Sequence, residues 1–416
     1  MNKKISVGMA ISIMAVVVAI AITFTYSVAM NTFDSRMSAI TERQAINDLI
    51  NEIDNKIRQQ YSGDVNDNSI REGLASGYVE GLNDEFCAYF SAEDYDLETS
   101  RNGGSDFGLG INVSRATNGN IQVNRVTSGS PAAKAGLKKG DVITRVSGMT
   151  VLALGYDTAL SMMNESSTVE ITIEREGKGF LITKSWYNAV TVEYKTVNDI
   201  GYISINGFNA STPGQFNSAL NKLRQKDVTG IIIDLRDNSS GNYEYACDVL
   251  DTVLPACRLM ITTDRSGAEK VLRRSDADSV NMPVCVLING NTGGAAELFA
   301  SAAADCGHKL VGNPTYGHLT VQEDFTLSDG SALRLTTGKW TTTSGRAIKD
   351  GVIVPDVEIE LSSYQQSNLY LLSAEDDPHI MEAVKIIEKE VAEGYVPPAV
   401  EENTSDSDAA LASDAA

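Results

Sequence analysis

The stretch Pro283-Val-Cys-Val-Leu-Ile288-Asn-Gly-Asn-Thr292-Gly293-Gly294-Ala295-Ala-Glu297-Leu-Phe-Ala-Ser301-Ala-Ala-Ala-Asp305 decides the fold. Its apolar run from Pro283 to Ile288 has the length and composition of a buried strand. The alanine-rich run that ends at Asp305 has the composition of a helix. Gly293 and Gly294 between them allow a sharp strand-to-helix turn, and Glu297 suits the positive first turn of the helix. A strand-turn-helix of this kind commonly presents a nucleophile at its corner. Here the corner carries two glycines and no hydroxyl.

Working outward, the chain continues as Gly312-Asn-Pro-Thr315-Tyr-Gly317-His318-Leu-Thr-Val-Gln322. Together these residues resemble the active-site region of the carboxy-terminal processing, or tail-specific, serine peptidases. Members of that family read Asn-x-x-Ser/Thr-Ala-Ser-Ala-Ser-Glu and then Gly-x-x-Thr-x-Gly-Lys-Gly-x-Val-Gln. The middle Ser is their nucleophile, the Lys their general base, and the Gln assists it. The resemblance places Gly294 at the nucleophile position and His318 at the base position, with Gln322 retained. The link from Glu297 to Gly312 is one residue shorter than the family's. Shifting by that residue puts Gly293 at the nucleophile position instead.

A second family motif, Asp-Leu-Arg-x-Asn-x-Gly-Gly, reads Asp234-Leu-Arg236-Asp-Asn-Ser-Ser240-Gly241 here. In the family this turn contributes a backbone amide to the oxyanion hole. The resemblance therefore implies an oxyanion region at Ser240, Gly241 and Ala295. Ser240 replaces the first Gly, and a side chain there is expected to resist the required backbone angles. Asp234 and Arg236 are expected to carry a structural ion pair or hydrogen bonds. Further pieces of the family recur as Gly201-Tyr-Ile, Thr342-Thr-Ser-Gly-Arg346 and Gly351-Val-Ile-Val-Pro-Asp356.

Phe107-Gly108-Leu109-Gly110-Ile111 opens a run of short alternating strands at 110–113, 121–126, 141–146 and 169–175. With Ser130-Pro-Ala-Ala-Lys-Ala-Gly136 and Lys139-Gly-Asp141, it resembles a PDZ domain. Such a domain offers an open sheet edge to an incoming strand and backbone amides to a terminal carboxylate. Residues 107–111 are thus the expected peptide-binding site. The bland alternative is a PDZ domain that only packs on its neighbour.

The expected fold is multidomain. It combines an α/β core of the tail-specific-protease (ClpP/crotonase-like) type, a mainly β PDZ domain, a helical N-terminal segment and one N-terminal transmembrane helix. The expected divisions are 1–30 anchor, 31–104 helical segment, 105–180 PDZ domain and 181–363 core. A C-terminal helical segment follows at 364–396, and a disordered acidic tail at 397–416. Helices are expected near 69–82, near 214–226 and from Pro378 to Glu393, the last capped by Asp377 and stopped by Gly394. A hairpin is expected over 327–336, turning at Asp329-Gly330.

Residues 5–30 hold no charged side chain, long enough to span a bilayer, and Lys3 and Lys4 precede them. The N-terminus should then stay cytoplasmic, with the bulk of the chain extracytoplasmic. The alternative is a signal peptide cleaved after Ser27-Val-Ala29. Beyond it, Phe33, Met37, Ile40, Ile46, Leu49, Ile50, Ile53 and Ile57 give a narrow helical stripe. That stripe serves either packing within its own domain or self-association with a second copy.

The 416 residues are enough for two or three domains, and the net charge of −21 argues against nucleic acid and against charge-driven binding to an anionic membrane. Five cysteines (87, 247, 257, 285, 306) show no metal spacing, and most are expected to be small buried residues. The three histidines are scattered. No metal or cofactor is expected. The functional expectation is a membrane-anchored pseudopeptidase. Through its PDZ domain it would bind polypeptide C-termini, unfolded tails or a partner protease. The alternative is an active serine-type endopeptidase trimming C-terminal tails with a relocated nucleophile at Thr292 or Ser301.

Overall fold

The computed structural model of the protein describes residues 7–175, 177, 179–276 and 279–397, with parts of the first helix described by backbone alone. The chain divides into two compact units, Met1–Leu74 and Ala75–Ala416.

The first unit is built on one continuous helix, Val7–Gln60, followed by the start of the helix Asp67–Glu80. No break occurs at the expected boundary near residue 30, because nothing between Ile5 and Gln60 is a Gly or Pro apart from Gly8 near its start. Arg58 joins the two helices by bonding Asp54 at 2.9 Å and Asp67 at 2.6 Å. Among the described residues no helix is long and apolar enough to cross a membrane. Much of the charge-free stretch 5–30 lies outside the described side chains.

In the second unit the core is a six-stranded sheet. Its order is Val192–Val197, Ile200–Ile205, Ile231–Asp234, Val284–Ile288, Lys309–Gly312 and Val357–Glu358. The first pair is antiparallel and all others are parallel. Parallel central strands need cover on both faces, which explains their unbroken apolar runs. Ile231 and Ile233 face a cluster containing Phe208, Phe216, Leu250 and Phe299. Ile232, Cys285 and Leu287 face the opposite way, onto Ile380, Val384 and Ile387 of the helix Pro378–Ala392. The period-2 alternation of side chains thus builds two cores from one sheet.

The helix Thr212–Arg224 and the strand Ile231–Asp234 fall within a few residues of expectation. Asp377 caps the last helix by accepting from the amides of His379 and Ile380. The hairpin turns where expected but is larger. Its strands are Thr320–Thr326 and Ala332–Thr341, and the second is the spine of another antiparallel sheet with Ala88–Phe90, Arg258–Asp264 and Glu269–Arg274. That second sheet was not expected, since its strands are polar and half exposed and lack a strong alternation.

The PDZ region forms a six-stranded antiparallel sheet with Ile111–Arg115 at one edge and Gly179–Thr183 at the other. It runs past the expected limit at residue 180. A separate pair, Ser105–Gly108 with Ser185–Asn188, ties its entry to its exit. The helix Ala92–Asn102, capped by Ser91, precedes it and was not expected. The acidic tail lies outside the described residues from 398 onward.

Candidate active site

The strand Val284–Ile288 and the helix Ala295–Asp305 meet at Gly294, the helix N-cap, with φ 57° and ψ −117°. Only glycine takes such angles without strain. A Cβ built on Gly294 would stand 3.4 Å from His318 Nδ1 and 3.7 Å from the Tyr243 hydroxyl. A Cβ on Gly293 would instead meet Ser239. Of the two alignments left open by the sequence, the geometry selects Gly294 as the position that faces His318.

Glu297 holds this corner together. Its side chain is fully buried, and no salt bridge reaches it among the described residues. One carboxylate oxygen accepts the Gly317 amide at 2.8 Å and the Thr315 hydroxyl. The other accepts the amides of Gly294 at 2.9 Å and His318 at 2.8 Å. Burial pushes its pKa up, and the four donors oppose that shift. The carboxylate thereby locks the strand-helix corner to the loop that carries His318, two segments about twenty residues apart in sequence.

His318 lies under Phe86, ring on ring, with 3.6 Å between centroids and 1° between planes. Its Nε2 is buried without a hydrogen-bond partner among the described residues. Burial lowers its pKa, against the attraction of Asp84 and Glu85 and with the repulsion of Arg334. Near neutral pH the ring is therefore the uncharged imidazole. Gln322 lines the same cavity but turns its amide to Thr320 Oγ1 at 2.9 Å and Thr336 Oγ1 at 2.8 Å. No hydrogen bond joins it to His318 among the described residues. Thr336 also donates to Asp84 at 2.7 Å, the main reason the Asp84 carboxyl sits below its usual range.

Ser240, Gly241, Gly294 and Ala295 all border one cavity of about 820 Å³, together with His318. Ser240 lies outside the positive-φ region. The demand for glycine falls on Gly241, at φ 111°, where a Cβ would stand 2.2 Å from the Phe208 carbonyl oxygen. The two hydroxyls considered as relocated nucleophiles are both fully buried. Thr292 Oγ1 donates to the Leu235 carbonyl at 2.9 Å and accepts the Asn289 amide at 3.0 Å. Ser301 Oγ pairs with Thr342 Oγ1 at 2.8 Å. Both serve packing and not the cavity.

Asp234 and Arg236 form the expected ion pair, which is larger than expected. Arg236 Nη2 lies 2.6 Å from Asp234 and 2.8 Å from Asp377, all three buried, and Tyr202 donates to Asp234 at 2.6 Å. This network fixes the end of the strand that leads into the Ser240–Gly241 turn.

Several residues of the cavity carried no signal in the sequence reading. Phe86 and Tyr243 are two of them. Arg334 crosses the rim, paired with Asp324 at 2.8 Å and Glu98 at 3.1 Å. Among the described residues no cluster of three His, Cys, Asp or Glu could hold a metal.

In the PDZ region, Leu109 and Gly110 are fixed by their carbonyls, which accept the amides of Ala132 at 2.9 Å and Thr127 at 2.8 Å. The strand Ile111–Arg115 that follows is a sheet edge, as expected. Arg115 reaches from it over the Tyr156 ring and to Asp157 at 3.4 Å, at the start of the helix Tyr156–Glu165. Phe107 packs on Trp186 with 5.4 Å between centroids.

Comparisons with known proteins agree with this architecture. Residues 199–359 match the model of peptidase family S41, and residues 98–174 match the PDZ domain. The carboxy-terminal processing protease CtpA of Bacillus subtilis is 29% identical over 325 residues, covering 76% of this chain and 70% of that protein. A Staphylococcus aureus protein named "Probable CtpA-like serine protease" is 27% identical over 353 residues, covering 82% of this chain and 71% of its own length. The crystal structure of an S41-protease homologue from Bacteroides fragilis shares the fold, with TM-score 0.57 and 20% identity over 81% of this chain and 97% of that one. The strand-helix corner with Glu297 thus lies in a peptidase family S41 domain and the edge-stranded domain before it is a PDZ domain, and the chain has homologues among the carboxy-terminal processing proteases.

Proposed function

We propose that this chain is a pseudopeptidase, anchored in the membrane by residues 5–30 with its bulk outside the cytoplasm. Its PDZ domain would hold polypeptide C-termini, or a partner that presents one. The observation that carries this reading is Gly294. The position facing His318 has no side chain, so the base has no nucleophile to activate. The burial of Thr292 and Ser301 supports it further, because neither hydroxyl reaches the cavity. The free edge of Ile111–Arg115 beside the helix Tyr156–Glu165 supports binding of an extended peptide by strand addition. The charge-free stretch 5–30 behind Lys3 and Lys4 supports the topology.

The test is a peptidase assay on the full-length chain. Unfolded protein and tail peptides should be cleaved no faster than in an enzyme-free control, and a serine-directed phosphonate probe should leave no adduct. A peptide with an apolar C-terminal residue should bind, and its amidated form should bind at least tenfold more weakly. Cleavage that Ser239→Ala or Ser240→Ala removes would instead assign catalysis to the serine hydroxyls bordering the cavity, and would sink the pseudopeptidase reading. For topology, the chain should stay in the membrane fraction after a carbonate wash. Recovery of a soluble chain beginning at Met30 would mean a cleaved signal.

A further inference from the structure

The sulfurs of Cys257 and Cys306 lie 3.4 Å apart, from residues 49 positions apart in the chain. Cys257 sits between the helix Tyr243–Val253 and the strand Arg258–Asp264, and Cys306 caps the C-terminal end of the helix Ala295–Asp305. Both backbones are held. Cys257 receives a hydrogen bond from the Ser275 amide at 3.0 Å and donates its own amide to Ser275 Oγ at 3.0 Å. Cys306 donates to the Ala302 carbonyl at 3.2 Å.

The other three thiols differ. Cys247 and Cys285 are fully buried, and burial pushes the Cys247 thiol up to about 12 and the Cys285 thiol higher still. Such thiols are poor nucleophiles. Cys87 accepts the Thr336 amide at 3.5 Å beside the candidate active site. Cys257 and Cys306 are only partly buried, and Cys306 borders an open pocket of about 320 Å³ with His308 and Tyr395.

We propose that Cys257 and Cys306 close into a disulfide. It fastens the far end of the helix that begins at Gly294 to the strand Arg258–Asp264. The oxidant is a low-molecular-weight disulfide. The Cys306 thiolate attacks one of its sulfurs and expels a thiolate, leaving a mixed disulfide. The Cys257 thiolate then displaces the second thiolate. Two cysteine thiols are oxidised, one disulfide is reduced to two thiols, and the two cysteine protons end on the released thiols. The sulfurs must approach by roughly 1.3 Å to reach bonding distance, within the reach of small χ rotations.

The test equilibrates the full chain with mixtures of oxidised and reduced glutathione, quenches with acid, alkylates the remaining thiols and maps them by mass. Two of the five thiols should disappear in one step, in a single peptide pair joining Cys257 to Cys306, with no glutathione retained. The cross-link closes a long loop, so the melting temperature of the oxidised chain should rise by roughly 5–10 °C. Cys257→Ser should leave glutathione trapped on Cys306 and abolish that rise. Retention of all five thiols by the wild-type chain, a stable glutathione adduct on it, or a link that involves Cys87 would each overturn the proposal. The wild-type result alone decides, whether or not the variant folds. None of these outcomes depends on whether the chain cleaves peptides.

Discussion

The ring of Phe86 lies flat on the imidazole of His318, 3.6 Å away, and closes one face of the residue that Gly294 faces. The contact crosses more than two hundred residues of chain. It is made possible by the strand Ala88–Phe90, which pairs with Ala332–Thr341 and carries Phe86 to the cavity.

This stacking predicts a titration shift. Burial is the main cause that lowers the His318 pKa, so Phe86→Ala should let water in and move it up toward the ordinary value near 6.5. The His318 ring resonances followed by NMR against pH report it directly. An unmoved midpoint would place the desolvation elsewhere in the cavity.

The two glycines of the site should respond differently to a side chain. At Gly241 a methyl group would collide with the Phe208 backbone, so Gly241→Ala should destabilise the fold by about 3 kcal/mol or more. At Gly294 the nearest atom is 3.4 Å away, so Gly294→Ser should lose only the backbone strain, about 1–3 kcal/mol. Urea denaturation of the two variants compares them. If Gly294→Ser folds as expected, combining it with His318→Lys should give measurable cleavage, and either change alone should give little.

Glu297→Ala would strip one acceptor group from four donors at once: three amides and the Thr315 hydroxyl. The expected loss is about 3 kcal/mol or more. Amide hydrogen exchange should quicken at 315–318 and at the start of the helix Ala295–Asp305. Unchanged exchange there would mean that the carboxylate is not what joins the two segments.

Stability should fall on acidification below neutral pH. His308 is nearly fully buried and burial alone lowers its pKa from 6.5 to about 4. The unfolded chain therefore binds the proton first. The contribution of His308 is complete above about pH 6.5 and is lost as pH falls through that window toward 4. The difference is on the order of 3 kcal/mol. The lowered pKa values of His318 and His379 act in the same direction, while the raised values of Glu297 and Glu390 act against it lower in the range. Urea unfolding at pH 7 and pH 5 should show the drop, and His308→Leu should flatten it.

The sequence by itself determined the strand-turn-helix at Gly294, the strand around Ile231–Asp234 and the run of short strands after Phe107. These rest on local signals: unbroken apolar runs, alternation, glycine punctuation and caps such as Asp377. It also left two glycines as candidates for the corner position. Only the tertiary structure decided between them, because the choice depends on where a side chain would point relative to His318, and that loop is brought in by Glu297. The same holds for Thr292 and Ser301. A hydroxyl reads alike in sequence whether it lines a cavity or satisfies a buried carbonyl, and here the partners are Leu235 and Thr342. Phe86, Arg334 and Tyr243 reach the cavity from three separate elements, and no spacing in the chain encodes their meeting. The long first helix is the reverse case. The sequence reading divided it near residue 30, between the charge-free stretch and the amphipathic stripe, but a continuous helix needs only favourable local residues, and it runs through that point.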